Sequence, residues 1–254
     1  MAFNNRNNKA KAHGVARVIS KRGYCSRSQA EKLVREGHVI LRGRPVRDPE
    51  APSYENDEII IDGKPITASK FVYFAMNKPR GIVTTASDEK GRKTVMDLFL
   101  EEYGKMYPGK PMPHIAPVGR LDAASEGLLL FTNDTKWADD ILTDACHLKI
   151  YRVQVKGKPS AAELSQMESG FNVPPRVFGE KEEFMHAEHA TLHSEGEKNC
   201  WLEITLSEGK NREIRRMLAH LGYEVLRLVR IQFDKYVLGD LKTGKIQEIK
   251  GPEQ

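Results

Sequence analysis

Two side chains of opposite charge stand against the most apolar run of the chain: Arg120 and Asp122, in GRLDAASEGLLLFTND from Gly119 to Asp134. A carboxylate there can act as a nucleophile or a base, and a nearby cation can keep it ionised. It can also be inert, because aspartate accepts backbone hydrogen bonds readily and serves as a turn former or helix cap. The run GLLLFT reads as a strand buried on both faces, which sets Asp122 in a loop on the rim of the core. Asn133 or Asp134 then caps a helix carrying Trp137, Ile141 and Leu142. A carboxylate held at such a rim is costly unless a cation or several donors compensate it, so the chain is expected to supply a partner.

The expected partner lies in CWLEITLSEGKNREIRRMLAHLGYEV. Cys200 to Leu206 reads as a strand, Asn211 as a helix cap, and Ile214, Met217, Leu218 and Leu221 as a buried stripe. Arg215 borders that stripe and is placed to point inward, whereas Arg212 and Arg216 sit further round. A solvated basic helix face is the competing reading. Between these segments HLKIYRVQVKG alternates, which puts Tyr151, Val153 and Val155 on one strand face. A tyrosine there ordinarily packs in a core or interface. His186, His189 and His193 in HAEHATLH have suggestive spacing, but on a strand His186 faces away from the other two, so no metal site is expected.

Those candidates need a scaffold. At 254 residues, 39% hydrophobic and 30% charged, the chain is long enough for one large domain or a medium and a small one. No apolar run approaches the roughly 20 residues of a membrane span. The basic start MAFNNRNNKAKAHG lacks an apolar signal core, so residues 1–13 are expected to be a mobile basic tail on a cytoplasmic protein. Cys25, Cys146 and Cys200 match no zinc spacing and read as packing residues. From FVYFAMNKPRGIVTT onward, strand and helix signals alternate irregularly, which predicts an α+β fold on a mixed, largely antiparallel sheet over residues 70–254. No glycine-rich nucleotide loop follows a strand and no carboxylate cluster suits magnesium, so a nucleotide cofactor or phosphoryl-transfer chemistry is unsupported.

Charge is uneven: residues 1–50 hold 12 Lys and Arg against 4 Asp and Glu, while the other residues hold 28 against 31. A basic block on a near-neutral protein suits a polyanion, because each phosphate contact releases counterions. The block also has internal order, over residues 14–66. A helix from about Val15 buries Val15, Val18 and Ile19 and ends at Gly23. A second starts at the capping box Ser26 and Gln29, buries Ala30, Leu33 and Val34, and stops at Gly37. Arg17, Lys21, Arg22, Arg27, Lys32 and Arg35 are left for exposed flanks. Gly43 and the pair Asp62–Gly63 mark two hairpin turns.

Arg17, Gly23, Ser26, Arg27, Ala30, Leu33, Gly37, Val39 and Gly43 resemble the pattern of the S4 RNA-binding domain, with Arg42 where that family commonly has asparagine. Behind it, NKPRGIVTT, GRLDAASEGLLLFTND, KIYRV and EGKNREIRRM, in this order, resemble the bacterial ribosomal-RNA pseudouridine synthases acting on small- and large-subunit RNA. The resemblance implies a pseudouridine synthase fold behind a small α/β S4-like domain, and isomerisation of a flipped-out uridine in ribosomal RNA or a subunit precursor. It implies no cofactor, no metal and a monomer. By resemblance Asp122 is the essential carboxylate, Arg215 its basic partner and Tyr151 the ring that stacks on uracil. Arg120 and Lys78, with Arg212 and Arg216, join the front cations as RNA contacts, and NREIRRM leans toward large-subunit rather than small-subunit RNA. The rival reading is a non-catalytic RNA-binding or ribosome-assembly protein that kept the fold.

Overall fold

Short apolar stripes punctuated by glycines build the front of the chain. The computed structural model describes residues 12–67, 70–85, 91–175, 179 and 181–252. Of the expected tail, residues 1–11 lie outside the described residues, and His13 is not tail: β1 (His13–Gly14) pairs antiparallel with β4 (Pro52–Ser53). Helices α1 (Val15–Lys21) and α2 (Arg27–Glu36) follow. The box at Ser26 and Gln29 closes reciprocally on the start of α2, and Gly37 ends it at φ 87°, a left-handed value that glycine adopts freely.

A four-stranded antiparallel sheet in the order β3 (Arg44–Val46), β2 (Val39–Leu41), β5 (Ile59–Ile61), β6 (Lys64–Pro65) completes this unit. Both of its hairpin turns hold two successive left-handed residues, Arg42–Gly43 and Asp62–Gly63, as the twist of tight hairpins demands. Left-handed backbone at Arg42 gives a physical reason for asparagine being common there. Val15, Val18, Ile19, Ala30, Val34, Val39, Leu41, Ile59 and Ile61 form the core.

The chain divides into two compact units, one of residues 1–72 with 111–115 and 133–136, the other of residues 73–110, 116–132 and 137–254. In chain order the rest comprises β7 (Tyr73–Lys78), α3 (Val95–Met106), β8 (Ala116–Val118), β9 (Glu126–Thr132), α4 (Thr135–Thr143), β10 (Lys149–Lys156), α5 (Ala161–Ser169) and β11 (Phe171–Val173). After these come β12 (Glu183–Met185), β13 (His189–Glu195), β14 (Asn199–Leu206), α6 (Glu213–His220), β15 (Val225–Phe233), β16 (Tyr236–Val237) and β17 (Ile246–Glu248).

The central sheet runs β13-β14-β10-β15-β9-β7-β17, with β16 on β15 and β8 on β9. It is antiparallel except for the pairing of β15 with β9, which makes it mixed and largely antiparallel. All seven residues of β9 are buried, as its apolar run from Gly127 to Phe131 requires, and Glu126 at its start is covered while paired with Arg227. Gly127 makes the parallel contact possible: at φ 99° its added Cβ would lie 2.3 Å from the Arg230 carbonyl oxygen. Asp134 caps α4 by accepting from the Lys136 amide at 3.2 Å. Cys200 is buried and Cys25 half-buried, but Cys146 is exposed and packs into no core.

Candidate active site

β9 is a central strand, so the loop before it must be anchored at its own backbone. All five carbonyls from Leu121 to Ser125 accept a hydrogen bond. Thr84 Oγ1 donates to Leu121 O at 2.7 Å, and the Gly81 amide to Ala123 O at 2.6 Å. Lys78 Nζ donates to Asp122 O at 3.1 Å, to Ser125 O at 2.8 Å and to Pro79 O at 3.2 Å. Arg215 Nη2 donates to Ala124 O at 3.1 Å, while its Nη1 reaches Val225 O at 3.2 Å. A loop whose carbonyls are all engaged has little freedom, and it presents the Asp122 side chain outward at 42% exposure.

That geometry corrects the expectation of a buried Asp122 paired with Arg215. The carboxylate meets water, so burial imposes no need for a partner, and the Arg215 guanidinium spends its terminal nitrogens on backbone. The ion pair of Asp122 is instead with Arg212, Nη1 to Oδ2 at 3.6 Å, and both side chains are well exposed. Such a pair contributes at most about 1 kcal/mol. Arg212, not Asn211, occupies the position before α6, with left-handed φ 53° and no side-chain cap; the Glu213 carboxylate accepts from the Lys210 amide instead. Burial lowers the pKa of Arg215, the neighbouring Arg212 adds to this, and Asp122 opposes it.

Three further cations are corrected. Lys78 is wholly buried and cannot meet RNA; burial brings its pKa down to about 8, against the pull of Asp122 and Glu126. Arg22 is also buried: it donates to the carbonyls of Ile66 at 3.1 Å and Glu55 at 3.0 Å and to that of Asp57, so it ties the end of α1 to later loops. Arg216 is mostly covered, bonded to Glu183 at 2.5 Å and to Pro174 O at 3.2 Å, which neutralises it. In contrast Arg17 and Arg120 are exposed without a side-chain partner among the described residues. Lys21 is bound to Glu55 at 2.7 Å, Arg27 to Glu31 and Glu50 at 3.2 Å, and Lys32 to Glu36 at 3.9 Å.

Asp122, Tyr151 and Arg215 line one cavity of about 440 Å³, together with Arg120 and Arg212. Tyr151 is 7% exposed on β10. The same cavity is lined by Lys149, Glu213 and Arg230, which sequence reading did not single out. A signal existed for two of them: Lys149 shares the alternation of Tyr151, and Arg230 that of Leu228, so each is a charge on an apolar face. His186 lies outside β13, and no three His, Cys, Asp or Glu side chains are grouped to hold a metal among the described residues.

The RNA pseudouridylate synthase family profile matches residues 72–220, and the S4 domain profile matches residues 15–59. Ribosomal large subunit pseudouridine synthase B of Bacillus subtilis is 33% identical over 237 residues, covering 92% of this chain and 91% of that protein. An RNA pseudouridine synthase of Aquifex aeolicus is 33% identical over 243 residues, 94% of this chain and 91% of the other. A crystal structure of a pseudouridylate synthase superposes with a TM-score of 0.60 at 27% identity, covering 94% of this chain and 96% of that one.

Proposed function

The chain belongs to the RNA pseudouridylate synthase family and carries an S4 domain at its front, and from that premise we propose that it isomerises a uridine of ribosomal RNA, in the large subunit, with Asp122 as the essential carboxylate. One observation carries the reading: an outward carboxylate on a backbone-clamped loop shares a cavity with a tyrosine ring and several cations. The large-subunit assignment is supported by the sequence NREIRRM and by the substrate in the name of the Bacillus relative.

The reaction breaks the bond from ribose C1′ to N1 of uracil, turns the base and joins C5 to C1′. C5 gives up a proton and N1 gains one, so neither oxidant nor reductant enters. Asp122 acts as nucleophile at C1′ or as base at the ribose, and the clamped loop holds it for either task without reorganisation. Tyr151 stacks on the extruded uracil and assists removal of the C5 proton. Arg215 positions the carboxylate by holding Ala124 O, the carbonyl two residues on in the same loop. Extracting the base costs a few kcal/mol of stacking and pairing, which RNA contacts elsewhere offset; Arg120 and Arg212 at the cavity and Arg17, Lys21, Arg27 and Lys32 in the S4 domain supply them. The protein works in the cytoplasm as a monomer on ribosomal RNA or a subunit precursor.

Mapping pseudouridines in ribosomal RNA from cells with and without the gene tests this. One large-subunit position that loses its pseudouridine is the expected result. A missing small-subunit position would reassign the substrate, and an unchanged map would favour a non-catalytic assembly role.

A further inference from the structure

Three buried charges of the cavity wall have no part in the steps above. Lys149, Glu213 and Arg230 are 5%, 3% and 3% exposed. Lys149 and Tyr151 alternate onto one face of β10, and Arg230 is the residue opposite Tyr151 on β15. The two cations therefore flank the tyrosine. Lys149 Nζ donates to Ser207 O at 3.1 Å, and Arg230 Nε donates to Leu128 O at 2.8 Å. Both groups also lie over the Phe233 ring, at 5.2 and 5.0 Å from its centroid.

The charge here does not balance. Arg230 Nη2 is buried with no hydrogen-bond partner among the described residues, and so is Glu213 Oε1. Two cations face one carboxylate, which leaves a net positive charge even with Glu213 ionised. Burial lowers the pKa of Lys149, with Arg230 adding to it, and burial raises that of Glu213. A buried N–H without an acceptor costs about 1–3 kcal/mol, and an acceptor in the cavity satisfies it once the side chain turns toward that acceptor.

We propose that Arg230 and Lys149 bind the carbonyl oxygens of the uracil and stabilise the negative charge that it acquires on leaving the ribose. This rests on the uridine reading above. When the C1′–N1 bond breaks, its electron pair stays with the base and spreads from N1 onto O2 and O4. The leaving group is the same anion by either route open to Asp122. C5 then gives an electron pair to C1′, and that bond discharges the anion; the C5 proton departs and N1 gains one with no further change of charge. Fixed cations aimed at charge that develops during reaction act on the transition state more than on the bound substrate.

The test compares Arg230→Gln and Lys149→Gln with wild type on RNA carrying uridine or 5-fluorouridine at the target, following formation of the C5 glycoside in a single turnover. Fluorine withdraws electrons and makes uracil a better leaving group, so it lessens the need for the cations. Each variant is expected to lose roughly 100-fold in kcat with KM within about threefold, and the loss on 5-fluorouridine RNA is expected to be about tenfold smaller. Equal losses on the two RNAs, or a loss confined to KM, would overturn the proposal. Arg230 also braces β9 through Leu128 O, so if its variant fails to fold Lys149→Gln decides alone. Wild type inactive on both RNAs would strike the uridine reading itself; active wild type with indifferent variants strikes only this inference.

Discussion

The S4 domain and the cavity beside Asp122 draw on the same residue types, lysine and arginine, and put them to opposite uses. In the S4 domain Arg17, Arg27 and Lys32 lie at the surface, and the pairs of Arg27 and Lys32 with glutamates are solvated and weak. Such cations can trade a carboxylate for a phosphate at little cost, which suits affinity for a polyanion. Around the cavity, Lys78 and Arg215 donate to the carbonyls of the Asp122 loop, and no phosphate can replace those acceptors without releasing the loop. Water-exposed charge supplies binding that salt weakens; desolvated charge supplies geometry that salt leaves alone. Each region holds exceptions, Arg22 buried in the first and Arg120 and Arg212 exposed in the second.

The largest effect expected is at Asp122. Asp122→Asn keeps size and shape, so pseudouridine formation should fall by about 10³-fold or more while the RNA dissociation constant stays within about threefold. Parallel loss of binding and turnover would move Asp122 to the side of the exchangeable contacts.

Next comes Lys78→Met, which strips donors from three carbonyls. Unfolding by denaturant should show a loss of about 2 kcal/mol near neutral pH, with activity falling as the loop loosens. Burial holds the folded pKa of Lys78 near 8, below its ordinary 10.5. Between those values the unfolded chain carries a proton that the native one lacks, so wild-type stability gains with rising pH and the gain disappears as pH falls through about 8. The gap between wild type and Lys78→Met should therefore widen by up to roughly 3 kcal/mol from pH 8 to pH 10.5. A constant gap would mean that the amine is not desolvated.

Arg17 within α1 and Arg22 at its C-terminal cap form a matched pair. Arg22→Met should cost about 2 kcal/mol of stability and leave the salt dependence of RNA binding as it was. Arg17→Ala should leave stability within about 0.5 kcal/mol, weaken binding a few-fold and lower the salt slope by about one. Interchanged results would erase the contrast between held and exchangeable charge.

Much of this architecture is local enough to read from the chain. Ser26 and Gln29, Gly37, and the turns at Gly43 and Asp62–Gly63 act over a few residues, so their types announce the helix ends and hairpins that they make. The buried run from Gly127 to Phe131 in β9 is equally plain, because a continuous apolar run next to a polar loop has few other uses. Fates of long cationic side chains were not legible. Arg17 and Arg22 are five residues apart and of one type, but the first meets water and the second three carbonyls, which is settled by the loop around Glu55, Asp57 and Ile66.

The sequence by itself determined the front helices and hairpin turns, the strands around Gly127–Phe131, Tyr151 and Cys200–Leu206, the basic bias of the front and the set of motifs that marks the family, since these follow from periodicity, composition and order along the chain. Tertiary structure alone decided that Arg212 pairs with Asp122, that Arg215 and Lys78 serve backbone, and that Lys149 and Arg230 flank Tyr151. The physical reason is reach and burial. A lysine or arginine extends far enough to find many acceptors, and which one it takes depends on what strands distant in sequence, such as β7, β9, β10 and β15, exclude from water around it.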